Sequence, residues 1–441
     1  MQSQDHNYVL KNLPKSEIEL EINIPFSELE PQVKRAAILI SEKINIEGFR
    51  KGKAPYEIIK NKVGEMAIYE EAAELAVRKT YPEILEEIFQ KNKTDGKDFT
   101  PIGKPEITIT KIAPGNDLQY KVKLALLPEV KLGDYKNIAA KTNKDKKEVV
   151  VSDEEIDKTL QWIRESRAPV VTVDRPAQKE DLVEINFETR DNGVKIADGD
   201  SKNHPLVLGK GNYLPGFEDH ITGMKTGEEK TFKITAPKDW HDKNLAGKEL
   251  EFKVNLKLVQ ERRLPELTDD FAKSLGKFVS IEELKKNIES GMRQEKEAKE
   301  KQRMRVLAIE EIAEGSKMDV PDVLIERELD KMLAELKSGI ENMGMRWEDY
   351  LLQIKKKPED LRKDWRAEAE KRVKIALVLR EVAKQENIEI PEDEIKNKSD
   401  EFLRQFKTSK QASQEIDLEE LRSYTMGILK NEKVFELLEK S

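Results

Sequence analysis

The chain has 441 residues, enough for two to four domains of roughly 100 to 200 residues each. With 79 Lys plus Arg against 87 Asp plus Glu, its net charge of −8 excludes a surface that binds polyanions as a whole, so any nucleic-acid contact is expected at a local patch. The lack of cysteine excludes disulfide and thiolate chemistry. No apolar run approaches the roughly 18 residues of a membrane span, and "MQSQDHNYVLKNLPKSE" carries no apolar leader, so a cytoplasmic location is expected.

Taken in order, "EIELEINI" (17–24) alternates strictly and predicts a half-buried strand, with Ile18, Leu20, Ile22 and Ile24 on one face. A helix should follow from about Ser27 or Pro31 to Ile46, with Leu29, Val33, Ala37, Ile40 and Ile44 as its stripe and Pro31 in its first turn. Residues 56–92 read as helical with a break at Gly64. Two strands then pair through "PGND" (114–117), with Ile107 and Ile109 on one, and Leu118, Tyr120, Val122, Leu124 and Leu126 on the other. This first region reads β-α-α-β-β. Residues 131–150 look like a connector ending in charges, and "SDEE" (152–155) is a capping box opening a short helix with Ile156, Leu160 and Ile163 on one face. From Val170 to Gln260 alternation and glycine turns predict a compact antiparallel β region. Its strands include Val183, Ile185 and Phe187, then Phe232 and Ile234, then Leu250, Phe252, Val254, Leu256 and Leu258. From Leu264 onward the chain is helical, with one stripe through Ile281, Leu284 and Ile288 and a second through Leu329, Met332, Leu336 and Ile340. A third holds Trp365, Ala369, Val373, Ala376 and Ala383, and Pro321, Pro358 and Pro391 mark helix starts.

Three clusters invite a functional reading. "GFRKGKAP" (48–55) packs Phe49, Arg50, Lys51 and Lys53 between and beside Gly48 and Gly52; such a tip can meet phosphate, or can be a solvated basic turn. Phe187, Phe217, Trp240 and Phe252 come from separate elements and either converge on a cleft or form the ordinary core of a small β domain. Met343, Met345, Trp347 and Tyr350, with Ile340, Leu351, Leu352 and Ile354, are either interhelical core or an adaptable binding surface. His6, His204, His220 and His241 lack metal-ligand spacing, and no Ser/His/Asp set or phosphate-binding glycine loop is present, so no metal, cofactor or covalent chemistry is expected.

The combination resembles a known family. "GFRKGKAP" is similar to the ribosome-docking signature of trigger factor; "PGFED", "MKTGEEKTF", "NLAGKE" and "FKVNLKLV" resemble its FK506-binding-protein-type prolyl isomerase domain; "LPELTDDFAK", "MDVPDVLIERELD" and "AEAEKRVKIALVLREVA" resemble its helical C-terminal domain. The resemblance implies a multidomain α+β protein: an N-terminal α+β ribosome-binding domain at 1–130, a connector with a short helix at 131–170, an antiparallel β FKBP-like isomerase domain at 171–262, and an all-α C-terminal substrate-binding domain at 263–441.

It further implies a chaperone that docks at the tunnel exit of the large ribosomal subunit, on protein and ribosomal RNA, through Gly48, Phe49, Arg50, Lys51, Gly52 and Lys53. Nascent and unfolded polypeptides would be its clients, with a weak homodimer off the ribosome. The isomerase pocket would be lined by Phe187, Leu214, Phe217, Trp240 and Phe252. Two positions commonly aromatic then acidic are Ile196 and Ala197 here, and another aromatic position is His204. A less aromatic cleft predicts reduced isomerase activity, and leaves open a non-catalytic holdase whose β domain only adds client surface.

Overall fold

The computed structural model describes residues 7–95, 98–211, 213–240, 245–406 and 417–441; His6 and His241 lie outside them, as does the side chain of Ala197. The chain divides into two units, residues 1–146 with 301–441, and residues 147–300.

In the first unit, β1 (Tyr8–Leu13) and β2 (Glu17–Ile24) are followed by α1 (Phe26–Lys43), α2 (Tyr56–Val63), α3 (Glu65–Thr94), β3 (Pro101–Lys111) and β4 (Leu118–Leu126). The four strands form one antiparallel sheet in the order β1-β2-β4-β3. Alternation in β2 and β4 sends Leu20, Ile22, Tyr120 and Val122 into a core closed by Leu29 and Ala37 of α1 and Ile68, Ala72 and Ile84 of α3. Each large aliphatic side chain buried there contributes about 1.5–3 kcal/mol. The helical break at Gly64 is present, at φ 86°.

The region holds an additional strand, β1, which sequence reading misses because this edge strand is exposed along most of its length and shows no alternation. Helix α1 also starts earlier than a first-turn Pro31 requires, placing Pro31 inside it. The start is fixed from outside: Asp117 Oδ1 accepts the Phe26 N–H at 2.9 Å. The turn bond lost to Pro31 leaves the carbonyl of Ser27, an exposed residue where water can substitute.

The stretch expected as a connector contains α4 (Tyr135–Asn143), whose Tyr135 and Ala139 pack into a helical core. That core is completed by the end of α8 (Ile281–Gly315), which carries the chain back into the first unit, with α9 (Asp322–Asn342), α11 (Pro358–Gln385) and α13 (Leu418–Glu439). Helices α10 (Trp347–Ile354) and α12 (Glu392–Phe406) complete the helical region. On α11 the stripe differs from expectation: Ala376 is exposed and Leu377 and Val378 are buried, because the helix buries a wider arc than one narrow seam. The sheet and helical regions meet where the N–H groups of Lys15 and Ser16, both left-handed (φ 60° and 51°), point at Asp319 Oδ2. Ser16 Oγ donates to the Asp319 carbonyl at 2.7 Å.

In the second unit, α5 (Asp153–Ser166) carries the expected capping box and buries Ile156 and Leu160 against Ala272 of α7 (Asp269–Leu275) and Leu284 of α8. Strands β5 (Val170–Thr172), β6 (Leu182–Asp191), β7 (Val194–Val207), β8 (Glu229–Thr235) and β9 (Glu249–Arg262) form an antiparallel sheet around the short α6 (Phe217–Ile221). Strand β9 corrects the expected alternation. Glu184 pairs with Leu258 but Ile185 with Leu256, so Lys257 bulges, and Val259 rather than Leu258 enters the core. Among the described residues no helix is long and apolar enough to cross a membrane.

The capping box gives a pH test. Glu155 accepts from Lys296 Nζ at 2.7 Å and from the Ser152 N–H at 2.9 Å, and these bonds pull its carboxyl from 4.5 down to about 2. A depressed folded-state value means the contribution is complete above about pH 4.5 and is lost as pH falls towards 2. Amide exchange over 153–160, corrected for intrinsic rates, should therefore be faster in Glu155→Gln than in the parent chain at pH 7, with the two converging near pH 2.

Candidate functional sites

The Gly48–Pro55 loop joins α1 to α2. Its base is apolar: Ile46 and Ile59 are buried in the sheet core, and Ala54 and Tyr56 pack against it. Its tip is not. Phe49 is 41% exposed, and Arg50, Lys51 and Lys53 are exposed with it. Two turns shape the tip, with Phe49 N–H donating to Ile46 O at 3.1 Å and Lys53 N–H to Arg50 O at 3.0 Å. Gly52 N–H ties the loop to the Ser41 carbonyl at 3.3 Å. Gly48 and Gly52 sit at φ 85° and 76°, the left-handed region that disfavours a side chain. Nearby Lys43 and Lys60 pair with Glu71 and Glu65. Among the described residues, no acid pairs with Arg50, Lys51 or Lys53.

The second cluster lies inside the β unit. Phe217, at the first position of α6, and Phe252 of β9 are fully buried with ring centroids 5.1 Å apart. Leu214 is buried beside them, Phe187 of β6 stands edge-on to Phe217 at 6.0 Å, and Trp240 is half-buried against the same core. The four expected aromatics and Leu214 therefore share one apolar cluster. Tyr213 belongs to it too, tilted against Phe217 at 4.3 Å and edge-on to Phe187 at 5.4 Å. Burial pushes its phenol up to about 12, so it is neutral at pH 7. Sequence reading misses Tyr213 because it sits in a loop without periodicity; its only signal is its place just ahead of "LPGFED". His204 stands edge-on to Phe187 at 5.5 Å and Ile196 is half-buried against the cluster. Among the described residues the cluster is aromatic and aliphatic, with His204, 3.5 Å from Ser201 Oγ, at its edge. It offers an aromatic floor with half-buried walls, suited to holding an apolar, ring-shaped group.

The third cluster surrounds α10. Met343 is 75% and Leu352 76% exposed, Met345 is exposed, and no residue of α10 is buried. Trp347 and Tyr350 stack at 5.9 Å, both half-buried. Ile340, on α9, is buried and belongs to the packing rather than to the surface.

Comparison with known proteins gives three successive family matches: the model described as bacterial trigger factor protein (TF) over 6–163, FKBP-type peptidyl-prolyl cis-trans isomerase over 173–257, and bacterial trigger factor protein (TF) C-terminus over 280–440. Trigger factor of Caldicellulosiruptor bescii is 31% identical over 94% of this chain and 92% of its own length. That of Thermoanaerobacter sp. is 34% identical over 94% and 91%. The chain belongs to the trigger factor family. It is a molecular chaperone with an FKBP-type peptidyl-prolyl cis-trans isomerase domain, and the aromatic cluster lies within the matched isomerase segment. A solved trigger factor structure, from work titled "Promiscuous Substrate Recognition in Folding and Assembly Activities of the Trigger Factor Chaperone", shares the fold at TM-score 0.53 and 22% identity, covering 98% of this chain and 99% of that one.

Tyr213 makes four ring contacts in the cluster, with Phe187, His204, Phe217 and Phe252. Aromatic pairs contribute about 0.5–1.5 kcal/mol each, and tenfold in rate is about 1.4 kcal/mol. Most of those contacts hold the ring in the folded domain, and only about one pair's worth is assigned to a bound substrate, so Tyr213→Ala should slow catalysis of proline-limited refolding by about two- to tenfold. An unchanged rate would remove Tyr213 from the reaction site.

Proposed function

We propose that this trigger factor chain docks on the large ribosomal subunit at the tunnel exit through Phe49, Arg50 and Lys51, with Lys53 beside them and Gly48 and Gly52 shaping the loop. The observation that carries this reading is an exposed aromatic among cations with no ion-pair partner among the described residues, held out from a well-packed core. Arg and Lys suit phosphate or carboxylate, and Phe49 suits a small apolar gap, so the contact combines ribosomal RNA with protein. Nascent and unfolded polypeptide is the client, held weakly and broadly by apolar spots such as the exposed Met343 and Met345 and the half-buried Trp347 and Tyr350. The working division is a ribosome-binding domain at 1–130, a connecting stretch at 131–170, the isomerase domain at 171–262 and a helical substrate-binding domain at 263–441. We further place the chain in the cytoplasm, as a weak homodimer when off the ribosome.

In the isomerase domain, Phe187, Leu214, Phe217, Trp240 and Phe252 form the substrate cleft. Rotation about an X–Pro bond faces about 18–20 kcal/mol because amide resonance is broken on the way. An apolar floor favours the twisted, less dipolar amide over the planar one, so no covalent step is needed. Ile196 and His204 make the rim less aromatic, which lowers activity. A second reading, a holdase whose β domain adds client surface alone, draws on the same two residues.

Cosedimentation with ribosomes tests docking. The parent chain should pellet and a Phe49-Arg50-Lys51 triple alanine variant should stay in the supernatant; equal pelleting would sink the assignment. For the cleft, proline-limited refolding should be catalysed more slowly than by family members with a fully aromatic cleft, and Phe217→Ala should abolish it. A family-typical rate would refute the reduction, and no catalysis by the parent chain would favour the holdase.

A further inference from the structure

Glu218 immediately follows Phe217 on α6 and is 8% exposed, an unusual place for a carboxylate. Its Oε2 accepts the N–H groups of Gly209 at 2.6 Å and Gly211 at 3.1 Å. Both glycines are left-handed, at φ 88° and 68°, and those conformations place the two donors on one oxygen. Lys210, between them, points the other way and bonds both carboxylate oxygens of Glu165 at 3.1 Å. Between the buried Leu208 and Leu214, the exposed stretch Gly209–Gly211 is thus tied down by charge, to Glu218 through its glycines and to Glu165 through Lys210.

We propose that Glu218 is a positioning residue for the isomerase reaction, its carboxylate fixing the loop that presents Tyr213 to the cleft. This rests on the aromatic cluster being the substrate cleft. Phe217 supplies the floor, and its neighbour in sequence aligns the wall above that floor, so one short helix sets both. Tyr213, half-buried and 4.3 Å from Phe217, lies in the same loop as the two glycines that Glu218 holds. Charge-assisted bonds to backbone N–H groups are roughly twice as strong as neutral ones, and without the acceptor both donors lose their partner. Glu218 need not touch substrate, so its removal acts as misplacement of Tyr213. A wall that contacts ground and transition states alike acts chiefly on KM.

The test uses the full chain, an X–Pro peptide isomerisation assay, and amide exchange read by mass spectrometry. Glu218→Ala should lower kcat/KM by about tenfold, mostly through KM, and expose Gly209, Lys210, Gly211 and Tyr213 to faster exchange while β6 and β9 stay protected. Glu218→Gln, whose amide oxygen can accept both N–H groups, should restore protection of the loop and most of kcat/KM. Phe217→Ala serves as the control for the cleft. If Phe217→Ala loses activity and Glu218→Ala does not, the positioning role is wrong while the cleft stands. If Glu218→Ala loses protection throughout β6 and β9, the residue supports the whole domain and the local role is overturned. If Phe217→Ala keeps full activity, the cleft reading itself fails and takes this proposal with it.

Discussion

Apolar burial beneath a polar loop is the interaction on which the exposed chemistry of the first unit depends. Ile46 and Ile59, on either side of the Gly48–Pro55 loop, are buried in the same core as Leu20 and Val122 of the sheet. Fixing those two points fixes the span between them, and the left-handed glycines let the chain turn sharply enough to carry Phe49 outward. An aromatic and three cations could not hold themselves in that arrangement. Their mutual repulsion and the loss of contact by Phe49 are offset by side chains that never meet a partner. The tip is therefore a property of the sheet and its helices as much as of its own residues.

The isomerase domain solves a related problem with different means. Its floor is made by full burial of Phe217, Leu214 and Phe252, and it is stable because aromatic rings there meet edge to face. Tyr213 comes from a loop whose apolar ends, Leu208 and Leu214, are buried in that core, while Gly209 and Gly211 between them donate to the Glu218 carboxylate. The chemistry of X–Pro rotation asks for a shaped, dry surface, and geometry is what this domain supplies. The helical region leaves Met343, just past α9, and Leu352 of α10 exposed, flexible apolar side chains of the kind that suits the broad client contact proposed above.

Legibility followed physics. Strict alternation in residues 17–24, the Ser152–Glu155 capping box and the prolines at helix starts each encode a local geometry that the neighbours reinforce, and each is present. Other features depend on distant partners. Strand β1 is paired along one edge only, so its apolar residues carry no period. Helix α4 is amphipathic over only nine residues and is defined by the helices that receive Tyr135 and Ala139. The bulge at Lys257 moves Val259 inward through a mismatch with β6 that β9 alone does not reveal. In the aromatic cluster, Phe187, Phe217 and Phe252 sit on regular elements whose pattern the sequence carries, whereas the contacts of Tyr213 and the bonds from Glu218 to Gly209 and Gly211 appear only in the folded loop.

The remaining theme is charge. A chain of net charge −8 repels a polyanion everywhere except where cations stand together without acids, and the tip is such a place. Under the proposed docking, this tip alone would carry the contact with ribosomal RNA. The direct measurement is the affinity of the full chain for large ribosomal subunits across a salt series from about 50 to 200 mM. A contact through the tip alone predicts a shallow log–log slope, about −2 to −3, matching two or three phosphates. A slope near zero, or one steeper than about −6, would contradict it, the first by removing phosphate from the contact and the second by bringing the body of the protein onto the RNA.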